Sequence, residues 1–88
     1  MSIHVLFFGE LGDTAQRSLG SASFNVDVNE TNDTLSKLQE IFADKDTALA
    51  DIFKRNEHLC AVNQEIQRQN LDLSDGDEVA FMSPFSGG

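Results

Sequence analysis

Tryptophan and tyrosine are absent from this sequence, and it holds one cysteine, one proline and two histidines among 88 residues. A single cysteine, Cys60, excludes an internal disulfide framework and an all-cysteine zinc site. His4 and His58 stand far apart without metal-ligand spacing, so no metal site is expected. There is no glycine-rich phosphate loop and no G-x-S-x-G nucleophile elbow. Basic residues are scarce: six Lys and Arg stand against fifteen Asp and Glu, a net charge of −9. The basic stripe that tracks a phosphate backbone is therefore missing, which argues against nucleic acid. An anionic membrane surface would repel the chain as well. No apolar run approaches the roughly 20 residues of a membrane span. The stretch Met1 to Phe8 lacks the basic n-region of a signal peptide. A soluble, cytoplasmic domain is expected. Its side chains offer almost no catalytic chemistry, so a reactive group, if there is one, lies outside the usual side-chain constellations.

The composition is that of a folded domain. Hydrophobic residues make up 40% and charged residues 24%, close to globular averages, which argues against disorder. A chain of this length forms one domain that buries about 60–65% of its unfolded surface, leaving no room for a deep cavity of its own. The acidity has two readings: attraction to a basic protein surface, or solubility alone.

Ser2 to Phe8, S-I-H-V-L-F-F, is rich in β-branched and aromatic residues and reads as a strand. Ile3, Val5 and Phe7 point one way and His4, Leu6 and Phe8 the other. Both faces are largely apolar, as in a strand covered on two sides. Gly9 to Gly20 reads as a polar loop with a helical turn near Thr14 to Arg17. Ser23 to Val28 alternates, with Phe24, Val26 and Val28 inward, and reads as a strand antiparallel to the first. Thr31-Asn32-Asp33-Thr34 is a cluster of N-cap residues. Leu35, Leu38, Ile41 and Phe42 follow at helical spacing, and Ala48, Leu49, Ile52 and Phe53 continue it. A new cap within Asp44-Lys45-Asp46-Thr47 divides the stretch into two helices. His58 to Val62 is a short apolar strand, with a brief strand or bend at Glu65 to Gln67. Asp75-Gly76-Asp77 is a turn, and Glu78 to Met82 is the last strand, which Pro84 stops. The first and last strands are the most apolar and should lie side by side at the centre of one mixed sheet. With the helices packed on one face, the expected fold is α+β, a β-grasp arrangement. Residues 1–83 form that domain, and 84–88 form a tail.

Gly87 and Gly88 close the sequence. At a background near 7% per position, two glycines together at one end arise by chance about 0.5% of the time. A frayed end or linker is one reading. The other uses what glycine lacks: without Cβ, the pair can thread a narrow channel and leave the terminal carboxyl unhindered. The reactive group is then the α-carboxylate of Gly88. A carboxylate is a poor electrophile until it is activated, and adenylation by ATP does this by supplying AMP as leaving group. The chain carries no nucleotide site, so the adenylating enzyme is a separate partner.

Asp75-Gly76-Asp77-Glu78-Val79-Ala80-Phe81 followed by Pro84-Phe85-Ser86-Gly87-Gly88 resembles the ending of the molybdopterin synthase small subunit, the MoaD family. Val5-Leu6-Phe7-Phe8-Gly9 and Ala61-Val62-Asn63-Gln64-Glu65 resemble the same family at matching places. Ser83 stands where that family usually has a first proline, and Phe85 where it often has valine. The resemblance implies a ubiquitin-like β-grasp fold and a sulfur carrier. A ubiquitin-activating-like enzyme adenylates Gly88, and sulfur from a donor protein then replaces AMP, leaving a thiocarboxylate. The tail, Pro84, Phe85, Ser86 and Gly87, inserts into the synthase large subunit. There it gives sulfur to cyclic pyranopterin monophosphate, building the dithiolene of the molybdenum cofactor. Two carriers serve each pterin, and the assembly has two small and two large subunits. The isolated chain binds no cofactor and is not catalytic by itself; it is the sulfur-carrying part of a sulfurtransferase. Two alternatives share the fold and the glycines: a carrier for thiamine or tRNA thiolation, and a ubiquitin-like protein modifier.

Leu6, Phe8, Ala80 and Met82 fall on the sheet face away from the helix, a contiguous apolar patch that suggests a partner interface. The competing reading is a second small cluster covered by the Gly9 to Gly20 loop. Met82 suits a surface that binds two partners in turn. Cys60 is read as a small buried hydrophobe rather than a persulfide carrier. His4 and His58 are read as strand-edge or surface residues rather than acid–base catalysts.

Overall fold

The structure, a computed structural model, describes residues 2–30 and 32–83. The elements run β1 (Ser2–Phe8), α1 (Glu10–Leu19), β2 (Ser23–Asp27), α2 (Leu35–Lys45), α3 (Thr47–Lys54), β3 (Leu59–Val62), β4 (Glu65–Gln67) and β5 (Glu78–Met82). They form a five-stranded mixed sheet in the order β2-β1-β5-β3-β4. β1 and β5 lie side by side and parallel, with Val5 opposite Val79 and Phe7 opposite Phe81. This is the ubiquitin-like β-grasp arrangement that the strand hydrophobicity predicts: the two strands apolar on both faces take inner places, and the more polar β2 and β4 take the edges.

Ile3, Val5, Phe7, Cys60, Val62, Val79 and Phe81 supply the sheet's side of the core. Leu11 and Ala15 of α1, Leu35, Leu38 and Phe42 of α2, and Leu49, Ile52 and Phe53 of α3 close over them. Phe7 is the aromatic hub, 5.0 Å from Phe42 edge-on and 5.5 Å from Phe81 in a stack. Phe53 meets Phe81 edge-on at 5.4 Å. Such pairs add about 0.5–1.5 kcal/mol each beyond the burial of their area. Thr34 caps α2 by accepting from the Lys37 N–H, and Asp46 caps α3 through the Leu49 N–H. The two caps separate the helices where the sequence places a new one. Ala48, taken from sequence for the buried stripe, lies exposed on α3.

The main departure is α1. The expected loop from Gly9 to Gly20 is a ten-residue helix. Leu11, Ala15 and Leu19 recur every four residues and turn toward the core, but the glycines around them read as turn punctuation. Gly12 has a packing reason instead. A Cβ there would stand 2.7 Å from the Phe7 carbonyl oxygen, so only glycine lets the helix lie this close to β1. Gly20 ends the helix in the left-handed region, φ 83°, and its N–H donates to the Gln16 carbonyl.

The Asp75-Gly76-Asp77 turn ties the chain's start to β5. The Ser2 N–H donates to Asp75 Oδ1 at 2.7 Å, and the Gly76 N–H to the Ser2 carbonyl at 2.7 Å. Asp77 accepts from the Ser74 N–H and from Asn63 Nδ2. Asn63 and Gln64, both at positive φ, make the two-residue turn between β3 and β4.

Candidate functional site

Residue alternation on the central strands divides the sheet into a core face and an open face. On the open face, β1 presents His4, Leu6 and Phe8, and β5 presents Glu78, Ala80 and Met82, paired in register. All three helices pack on the other side. The first helix, the one element that could have covered this patch, touches β1, β5 and α3 and contributes Leu11 and Ala15 to the core. Leu6, Phe8, Ala80 and Met82 thus come together as expected. With Ala61, Gln64, Ile66 and Glu78 they line a shallow concavity of about 250 Å³. Phe8 is 49% exposed and Ile66 48%, the large apolar side chains left in solvent among the described residues. Ile66 and Ala61 were missed from sequence. The signal was there in Glu65-Ile66-Gln67, one apolar residue between polar ones, but its face depends on the pairing of Ala61 with Ile66 across β3 and β4.

The patch runs to the end of β5. Phe8 pairs with Met82, so the next residues, Gly9 and Ser83, stand side by side. Pro84, Phe85, Ser86, Gly87 and Gly88 lie outside the described residues.

The remaining candidates are structural. Cys60 sits opposite Phe81 on the core face, only 9% exposed, and burial pushes its thiol up to about 11. It is therefore protonated and unreactive at neutral pH. His58 lies edge-on to Phe53 at 4.9 Å, its Nε2 2.9 Å from Gln39 Oε1. Its Nδ1 is buried without a partner, and burial lowers the imidazole's pKa. His4 is on the open face at the β2 side, bridging Asn25 Oδ1 at 2.8 Å and Ser23 Oγ at 3.1 Å. Among the described residues, no three His, Cys, Asp or Glu side chains converge as metal ligands, and no helix is long and apolar enough to cross a membrane.

Solved structures give the same fold. Haloferax volcanii SAMP1 superposes with a TM-score of 0.72 at 22% identity, over 100% of both chains. A chain from the complex of subunits 1 and 2 of the Helicobacter pylori 26695 molybdopterin-converting factor gives 0.67 at 22% identity, again over 100% of both. The small archaeal modifier protein 1 of Methanosarcina acetivorans gives 0.73 at 17% identity, over 99% of this chain and 96% of that one. No curated protein sequence matches the chain. The family model that does match covers residues 5–88, from the first strand through both glycines, and the chain accordingly belongs to the ThiS family of ubiquitin-like sulfur carriers.

Proposed function

We propose that this carrier is the small subunit of molybdopterin synthase, with the α-carboxylate of Gly88 as its working group. The supporting observation is the apolar open face that ends at Met82, directly before the residues leading to Gly88. A face of that kind is costly in water and inexpensive against a partner, and its position lets one docking event seat both the domain and the tail. The ending D-G-D-E-V-A-F with S-G-G favours the molybdopterin pathway over other sulfur carriers, and the likeness to a chain of the Helicobacter pylori complex agrees with it.

The chemistry divides among partners. A separate ubiquitin-activating-like enzyme joins the Gly88 carboxylate to AMP and releases pyrophosphate. Hydrosulfide released by a donor protein attacks the acyl carbon, AMP leaves with the bonding electron pair, and the thiol proton is lost to leave a thiocarboxylate. In the large subunit the sulfur attacks a side-chain carbon of the pterin and displaces an oxygen group from it, and water then cleaves the acyl–sulfur bond to restore the carboxylate. The domain's own share is recognition and delivery, since none of its described side chains is placed for acid–base work.

The test is dithiolene formation from cyclic pyranopterin monophosphate with the large subunit and the matured chain. Removing Gly88, or both glycines, should abolish it while the domain's melting curve stays unchanged. Undiminished transfer by the truncated chain would overturn the terminal-carboxylate mechanism.

A second reading, a protein modifier, is favoured by the fold likeness to two small archaeal modifier proteins. It has its own signature. Arg68 is the last basic residue, so trypsin would leave residues 69–88 attached to a target lysine. Finding that branched peptide in cells would support modification; its absence alongside dithiolene activity would favour the synthase.

A further inference from the structure

The first turn of α1 has no cap of its own. Its N-cap position is Gly9, at φ 66° and ψ −138°, which has no side chain to accept from the first N–H groups. Helix starts leave these donors unpaired unless something supplies an acceptor. Here the acceptor comes from a residue far away in sequence but adjacent in the sheet. Ser83 Oγ accepts from the Leu11 N–H at 3.3 Å, a partly buried contact between residues 72 apart in sequence. Gly9 makes room for it: a Cβ at position 9 would lie 3.2 Å from Ser83 Cβ and 3.4 Å from its Oγ. The start of α1 is held from a second side by Arg55, whose Nη2 donates to Glu10 Oε1 at 3.0 Å from the end of α3. Ser83 is thus fastened to a helix whose own position is fixed by Leu11, fully buried in the core.

We propose that Ser83 is a positioning residue for the sulfur-carrying end, its hydroxyl capping α1 from the end of the strand beside β1 and fixing the point from which residues 84–88 depart. The proposal rests on the carrier reading above. Its physical content is a fixed origin. Five residues span at most about 17 Å from their anchor, so a shift or swivel of the anchor carries over directly to the place where the Gly88 carboxyl can be presented. The open face, formed by other side chains, decides how tightly the domain docks. The Ser83 anchor decides how often a docked domain offers its carboxyl in the right place. Losing the hydroxyl should therefore lower the turnover of a docked complex rather than its formation.

The experiment uses the full chain as wild type, Ser83→Ala and Ser83→Thr, with Asp46→Ala as a control that removes the cap of α3 at the end opposite Arg55. ATP-dependent conversion of Gly88 is followed with the adenylating enzyme of the same organism, and exchange of the Leu11 amide is followed by NMR. The expected result for Ser83→Ala is faster Leu11 exchange, by tenfold or so, and a kcat several-fold lower with KM for the chain within twofold. Threonine keeps the hydroxyl and should restore both. Asp46→Ala should lower the melting temperature, as loss of a helix cap does, and leave kcat unchanged. Unchanged kcat in Ser83→Ala, or an equal fall in Asp46→Ala, would overturn the positioning role while leaving the carrier reading standing. A wild-type chain that is not converted at all would overturn the carrier reading itself, and the positioning role with it.

Discussion

The two faces of this sheet are made from the same two strands and end in opposite states. On one side, Val5, Phe7, Val79 and Phe81 are buried under three helices. On the other, Leu6, Phe8, Ala80 and Met82, one residue along in each case, stay partly or largely in solvent. The side chains are similarly apolar, so hydrophobicity alone does not tell the faces apart. What separates them is the destination of the helices, and all three go to one side. The covered face therefore carries stability and the bare face is the one proposed for recognition, so substitutions on neighbouring residues should have separable effects.

The largest effect is expected on the covered face. Phe81→Ala removes a ring that contacts Phe7 and Phe53 in a fully buried site and should cost about 3–5 kcal/mol of stability in denaturant titrations. A loss below 1 kcal/mol would mean the core is not organised around this ring.

On the bare face, Phe8→Asp or Met82→Asp should spare the melting temperature and weaken binding to the synthase large subunit. An unpaired carboxylate buried at an apolar interface costs several kcal/mol, roughly a hundredfold in affinity or more. Calorimetry paired with a thermal melt separates the outcomes. A large fall in melting temperature with unchanged affinity would assign these residues to the core instead.

Cys60→Ala probes the covered face near its edge. A stability loss on the order of 1 kcal/mol is expected from the changed packing, with no change in thiocarboxylate yield. A thiol held protonated by burial, with its pKa near 11, is no sulfur relay. Loss of the sulfur-bearing product in a folded Cys60→Ala variant would put Cys60 in the pathway.

The smallest effect is that of pH on His58. Burial holds its pKa below the ordinary 6.5. Above that value the imidazole is neutral in both the folded and unfolded states. As pH falls below it, the unfolded chain takes up the proton first, so stability should decline on acidification toward pH 5. The decline should be smaller in His58→Gln. An equal decline in both proteins would assign the acid sensitivity to other groups.

Much of this arrangement was legible in the sequence, because strands apolar on both faces announce their central position and the caps at Thr34 and Asp46 are local signals. The open face was legible for the same reason: a period of two assigns Leu6, Phe8, Ala80 and Met82 to one side. The helix α1 was not, since Gly12 serves a close approach to the Phe7 carbonyl that only the folded chain reveals. Ile66 and Ala61 joined the patch through a strand pairing, and Ser83 reached Leu11 from the end of the strand paired with β1. Contacts of that kind depend on topology, which local patterns do not encode.

The intact mass of the chain purified from its own cells bears most directly on the carrier role. A population heavier by the replacement of one oxygen with sulfur, confined by fragmentation to Gly88 and absent from cells lacking the adenylating enzyme, is the expected result. A chain of unmodified mass under conditions of active cofactor synthesis, or sulfur found on Cys60 instead, would contradict it.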